Sequence, residues 1–212
     1  MDLNDVRLQF FNVVVVYESI DLLSISRDQV REIGQGLPQP LLTDIPGEIL
    51  LVVYRDSRIH CQFDRRRLTL QAQEPEERLI ETDTVPSMLH RAIAAMRHPR
   101  AVQAFGLNYT VTGRLEGPVP VGAHLRDRFL ADSNGTARAL QGSLDGASVR
   151  LNYSYPAFRS TNTLSLEQGN DQSTLLCTLN VHLEPSDVPE APKLQRLLSD
   201  GHSHLRETLA RL

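Results

Sequence analysis

Residues 8–17 read Leu8-Gln9-Phe10-Phe11-Asn12-Val13-Val14-Val15-Val16-Tyr17, and this stretch decides the fold. A run so rich in β-branched and aromatic side chains is a strand. It is apolar on both sides, with Phe10, Val14 and Val16 alternating against Phe11, Val13 and Val15. That pattern predicts a central strand covered on both faces. A weaker form of the same programme begins again at Val102-Gln103-Ala104-Phe105-Gly106-Leu107-Asn108-Tyr109. The two starts predict a duplication, with residues 1–99 as one half and residues 100–212 as the other. The expected fold class is α+β: two tandem β-α-β-β-β(-β)-α repeats whose antiparallel sheet or sheets carry helices on one face.

Each half holds its own local signals. Ser26 stands as an N-cap with Gln29 three residues on, and Ile25 and Val30 occupy the two positions of a hydrophobic staple, so a helix starts there. Gly34, Gly36 and Pro38 stop it. Residues 48–55 are strand-like, Asp56-Ser57 is a turn, and Arg58-Ile59-His60-Cys61-Gln62-Phe63 alternates strictly, followed by Leu68 and Leu70 in the next strand. Residues 74–83 read as an acidic loop or edge strand. Thr84 then caps a helix with Val85, Leu89, Ala92, Ile93 and Met96 on one stripe. His98-Pro99-Arg100 separates the halves without a long linker, which predicts one rigid body.

In the second half Phe105, Leu107, Tyr109 and Val111 share a face opposed by Gly106, Asn108, Thr110 and Thr112, so this strand is wet on one side. A short helix is expected over residues 121–130, and Asp145-Gly146 is a hairpin signal ahead of a strand with Val149, Leu151, Tyr153 and Tyr155 inward. A strand over residues 163–167 follows. The last one turns Leu175, Cys177, Leu179, Val181 and Leu183 inward. Pro192 opens an amphipathic helix with Leu194, Leu197, Leu198, Leu205, Leu209 and Leu212 on its stripe.

Composition bounds the function. A chain of 212 residues with net charge −4 and pI near 6.0 has no general basic field, which disfavours sequence-blind binding to phosphate backbones. Cys61 and Cys177 sit at inward positions of expected strands and read as buried free thiols. The N-terminus Met1-Asp2-Leu3-Asn4-Asp5 is acidic where a secretory signal is positive, and the first apolar run is too short to cross a bilayer. A cytoplasmic location and no membrane partner are therefore expected.

Candidate chemistry is sparse. No nucleophile motif, metal-ligand spacing or phosphate-binding glycine loop occurs, so no catalytic residue, metal or cofactor is assigned. His202 and His204 lie two apart on a helix, diverge by about 200° and read as surface residues. Arg65, Arg66 and Arg67, with Arg58 near them across the hairpin, form the one basic cluster. Alternation brings Arg58, His60, Arg67, Arg150, Asn152, Asn180 and His182 to one polar sheet face with no acid among them. These seven side chains, with Arg65 and Arg66, are the candidate binding set.

The order β-α-β-β-β(-β)-α twice over resembles the duplicated saddle of the TATA-binding-protein fold, a likeness of topology that spans the chain and carries no functional motif. Leu22-Leu23-Ser24-Ile25-Ser26, the Phe105-Gly106-Leu107-Asn108-Tyr109 strand and the end running from Thr178 through Leu194 also resemble a sporadically distributed bacterial family with no assigned function. What the sequence predicts is a non-catalytic binding or adaptor module that holds another protein on its polar sheet face. The alternative is a small-ligand binder or enzyme with a pocket between the sheet and the long helices, and a nucleic-acid binder ranks last. A second copy of the chain also stands among the candidate partners.

Overall fold

The computed structural model describes residues 3–96, 101–183 and 187–211. The expected connector His98-Pro99-Arg100 and the last stripe residue Leu212 lie outside the described residues. The order is β1 (Leu3–Tyr17), α1 (Arg27–Arg31), β2 (Leu41–Ile45), β3 (Ile49–Tyr54), β4 (Ile59–Asp64), β5 (Arg67–Gln73), α2 (Arg78–Glu81) and α3 (Thr84–Ala95). Then come β6 (Val102–Leu115), α4 (Val121–Phe129), α5 (Ser133–Ala139), β7 (Val149–Tyr155), β8 (Ser160–Gln168), β9 (Thr174–Leu183) and α6 (Ala191–Arg211). The class is α+β, and the nine strands of the described residues join one antiparallel sheet in the order β2-β3-β4-β5-β1-β6-β9-β8-β7.

β1 lies at the centre because it pairs on both sides: Val13 faces Leu70 of β5 and Leu107 of β6. Its two faces have different fates. Phe11, Val13, Val15 and Tyr17 are buried under the helices, while Phe10, Val14 and Val16 are only half-buried on the opposite face. The expectation of a strand covered twice is therefore corrected, because the helices form a single layer. The same alternation runs through the sheet, with Leu50, Val52 and Tyr54 buried in β3 and Ile49, Leu51 and Val53 half-exposed. In β6 Phe105, Leu107, Tyr109 and Val111 are buried, as their spacing predicts.

The helices follow their signals in part: Thr84 is the first residue of α3 and not its cap, since Asp83 holds the N-cap position with no side-chain capping bond, and α5 had no expected counterpart. Ser26 caps α1 and accepts from the Gln29 N–H at 3.4 Å, and Val30 and Ile33 are fully buried. α2 forms inside the segment read as an acidic loop or edge strand, because Leu79 packs on the core and Ile80 is buried in it. The hairpin expected at Asp145-Gly146 is absent. Gly146 instead lies against Gly122 of α4, so close that a Cβ would come within 3.1 Å of the Gly122 Cα. The Ala147 N–H donates to the Gly122 carbonyl at 2.9 Å, and Arg126 donates to the Leu144 carbonyl at 2.7 Å. These contacts tie the segment to the helix layer, so three strands follow α5 where four follow α1.

α6 closes the second half. Leu194, Leu198, Leu205 and Leu209 are buried, and the Tyr109 hydroxyl donates to the Leu198 carbonyl at 2.9 Å. Gly201 makes this approach possible, since a Cβ there would meet the Tyr109 Oη at 2.9 Å. Leu198→Ala and Leu205→Ala are each expected to lower the unfolding free energy by about 2–5 kcal/mol, the range for closed core sites. Gly201→Ala tests the packing separately. Helix propensity alone predicts a gain of about 1 kcal/mol, and overpacking against a buried ring a loss of about 1–3 kcal/mol, so a net fall is expected in urea melts. A stabilised Gly201→Ala variant would show that α6 rides higher over β6.

Candidate polar sheet face

The uncovered face has a definite composition. One transverse row takes a polar side chain from each of seven neighbouring strands: His60, Gln71, Asn12, Asn108, Asn180, Thr163 and Asn152, each registered opposite the next. Many of these side chains bond one another along the row. The Gln71 amide donates to His60 Nδ1 at 3.2 Å, which leaves Nε2 as the proton-bearing nitrogen of the neutral ring. Asn108 donates to the Asn12 Oδ1 at 2.6 Å, Asn180 donates to the Asn108 Oδ1, and Thr163 donates to the Asn152 Oδ1 at 2.8 Å. Fixing each amide this way leaves it with unspent donor or acceptor sites and little further side-chain freedom to lose.

Apolar residues flank the row. Phe10, Val14 and Val16 of β1 and Leu51 and Val53 of β3 are half-buried, and Leu41 and Ile45 on the β2 edge are each 47% exposed. Formal charge stays at the rim, where Arg7, Arg67, Arg114 and Arg150 stand with Asp64 and Glu167. The centre of the face is neutral. A groove of about 570 Å³ runs over Phe10, Val53, His60 and Gln73, and a smaller one of about 220 Å³ lies over Ser154, Thr161 and His182.

The sequence-predicted residues divide into two groups. His60, Arg67, Arg150, Asn152, Asn180 and His182 all lie on this face, and the row brings His60, Asn180 and Asn152 into line. Of the others, Arg65 and Arg66 leave it, and Arg58 stands at its end. Arg58 precedes β4 in a left-handed turn with φ of 52° and leaves the strand alternation, yet it lines the groove beside His60 together with its partner Glu74, so an acid does stand beside the set. It also lies at the opposite end of β4 from the other arginines. The basic cluster itself disperses, with Arg65 donating to the Gly47 carbonyl at 3.0 Å, Arg66 to the Gln103 amide oxygen at 2.8 Å, and Arg67 turned to the face. Sequence reasoning missed Asn12, whose signal is a lone amide inside an otherwise apolar strand, and Thr163, whereas the alternation places Gln71 and Asn108 on polar faces without singling them out.

The helix side offers other polar groups. His202 is 8% exposed and stacks on Tyr109 with ring centroids 6.2 Å apart, and the half-buried His204 shares a hydrogen bond of 2.9 Å with the Tyr153 hydroxyl. Neither is the surface residue expected, because the sheet presents Tyr109 on one side of α6 and Tyr153 on the other. Burial pushes the Cys177 thiol up to about 12 and raises that of Cys61 as well, so both stay protonated at neutral pH. A cleft of about 740 Å³ opens between the β3–β4 turn and α2, lined by Leu37, Ile59, Leu79 and the Arg58–Glu74 pair. Among the described residues, no helix is long and apolar enough to cross a membrane. No protein-family model and no curated protein matches the chain.

The buried histidine sets an acid limit. Burial holds the His202 pKa below the ordinary imidazole value, Glu77 and Glu81 pull it up in part, and Arg206 pushes it further down. The unfolded chain therefore takes up the proton first as pH falls through about 6.5, and folded stability declines until the folded ring titrates in its turn. Urea melts between pH 8 and pH 5 are expected to show that decline, with a shallower slope in His202→Phe. An identical slope in the variant would exclude His202 as a cause.

Proposed function

We propose that the protein is a binding module that holds another polypeptide on its open sheet face and does no chemistry on it. The observation that carries this reading is the neutral amide row, His60 through Asn152, flanked by half-exposed Phe10, Val14 and Leu51. Amide and hydroxyl groups match the hydrogen-bonding needs of a peptide, and apolar flanks supply the area that drives association. A phosphate backbone asks for a continuous cationic stripe, whereas here the arginines are scattered on the rim among Asp64 and Glu167. We read the chain as a tandem duplication of the saddle type that the sequence resembles. Support for that reading comes from the strand order, in which β5 flanks β1 on one side of the seam and β9 flanks β6 on the other.

Gly106 gives a clean test, since it lies in mid-face between Val14 and His182. A Cβ there would have the Val181 carbonyl oxygen as its nearest neighbour at 3.6 Å, an ordinary contact. Gly106→Arg is therefore expected to leave the melting temperature nearly unchanged while placing a long cation on the neutral face. With a photo-crosslinking residue at Thr110, the wild type is expected to capture one discrete polypeptide from its native lysate, and Gly106→Arg to lose it. Capture that survives the substitution, or that occurs equally from a crosslinker on the outer face of α6, would refute the open-face site.

A further inference from the structure

The two edges of the sheet are not alike. β2 is short, flanked by Pro40 and Pro46, and tied to Arg27 through Asp44 at 2.7 Å, all devices that discourage another strand from adding. β7 is longer, has a flanking proline only at its far end, Pro156, and among the described residues carries no edge ion pair of this kind. It runs for seven residues, Val149-Arg150-Leu151-Asn152-Tyr153-Ser154-Tyr155, with no proline or glycine and a single formal charge. Among the described residues no backbone hydrogen bond leaves residues 149–154 except to β8, because the preceding segment is anchored on α4 instead of lying alongside. Leu151 is 39% exposed there.

We propose that β7 is the pairing strand of a homodimer, adding antiparallel to β7 of a second copy so that the sheet runs on through a two-fold axis at Asn152. The sequence of β7 is self-complementary about that residue. In this register Val149 faces the second copy's Tyr155 and Leu151 faces its Tyr153, both aromatic–aliphatic pairs, on the helix side of the sheet. On the open side Arg150 faces Ser154 and Asn152 faces its own copy, an amide pair that carries the polar row across the axis. No like charges meet. A shift of two residues either way breaks these pairings and leaves part of the strand unpaired, so register and symmetry select the same arrangement. The dimer is closed, since β7 is consumed and β2 is protected. A single strand pair makes a small interface, so the dimer is concentration-dependent.

Sedimentation velocity over a range of concentrations tests this, and a monomer at every concentration overturns it, as does an open-ended polymer. Asn152→Asp sets two carboxylates face to face on the axis and is expected to raise the dissociation constant at least tenfold, in line with the penalty for juxtaposed like charges. A dimer indifferent to that change lies elsewhere. Cysteine substitution reads the register directly, because Cys61 and Cys177 are both fully buried and leave the surface free of thiols. Under mild oxidation Asn152→Cys is expected to give a covalent dimer, and Arg150→Cys none, since residue 150 would stand about 14 Å from its own copy at roughly 3.4 Å per residue. Equal crosslinking at both positions overturns the register. Gly106→Arg is expected to dimerise like the wild type, which separates this interface from the open-face site.

Discussion

The antiparallel pairing of β1 with β6 is the constraint on which the molecule depends. It runs from Leu3 opposite Leu115 to Tyr17 opposite Val102, broken by bulges that add twist, and it fuses two meanders into one sheet. Without it each half would expose a long apolar edge, Val13 to Val16 on one side and Phe105 to Leu107 on the other. With it the helices of both halves share one layer, and α3 and α2 pack against α6 across the seam. Arg206 of α6 reaches Glu77 at 2.6 Å, a minor contact in energy that marks how closely the two halves meet.

A sheet covered on one side only must reconcile its other face with water. This chain does so with amides, hydroxyls and a few half-buried aliphatics, and keeps formal charge at the rim. A surface built only to be wet would hold charges of both signs across its centre at little energetic loss. The hydrogen-bonded Asn12, Asn108 and Asn180 instead spend their polar groups partly on one another, which stiffens the face.

Much of the fold was legible because period-two alternation leaves a strong trace wherever one face is buried. Phe105, Leu107, Tyr109 and Val111, the cap at Ser26 and the leucine stripe of α6 all lie where the residues put them. The site was less legible. Asn12 acquires meaning only beside Gln71 and Asn108, and register between strands is a non-local fact that no window of sequence contains. Arg58 left the strand alternation through one residue of left-handed backbone, and Asp145-Gly146 yielded its turn preference to close packing on Gly122. At Gly146 a tertiary contact outweighed a local preference worth only about 1 kcal/mol.

The central position of β1 also has a kinetic consequence. Its Val13 waits for Leu70 on one side and Leu107 on the other, so the most apolar strand is completed only after some 90 further residues have been made. At about 5–20 residues per second that interval is roughly 5–20 s. During it the window from Phe10 to Tyr17, β-prone and uncharged, stands open as a nucleus for misassembly between nascent chains. The segment that organises the native sheet is thus also the one left open longest during synthesis, with β5 the first strand able to cover one of its edges.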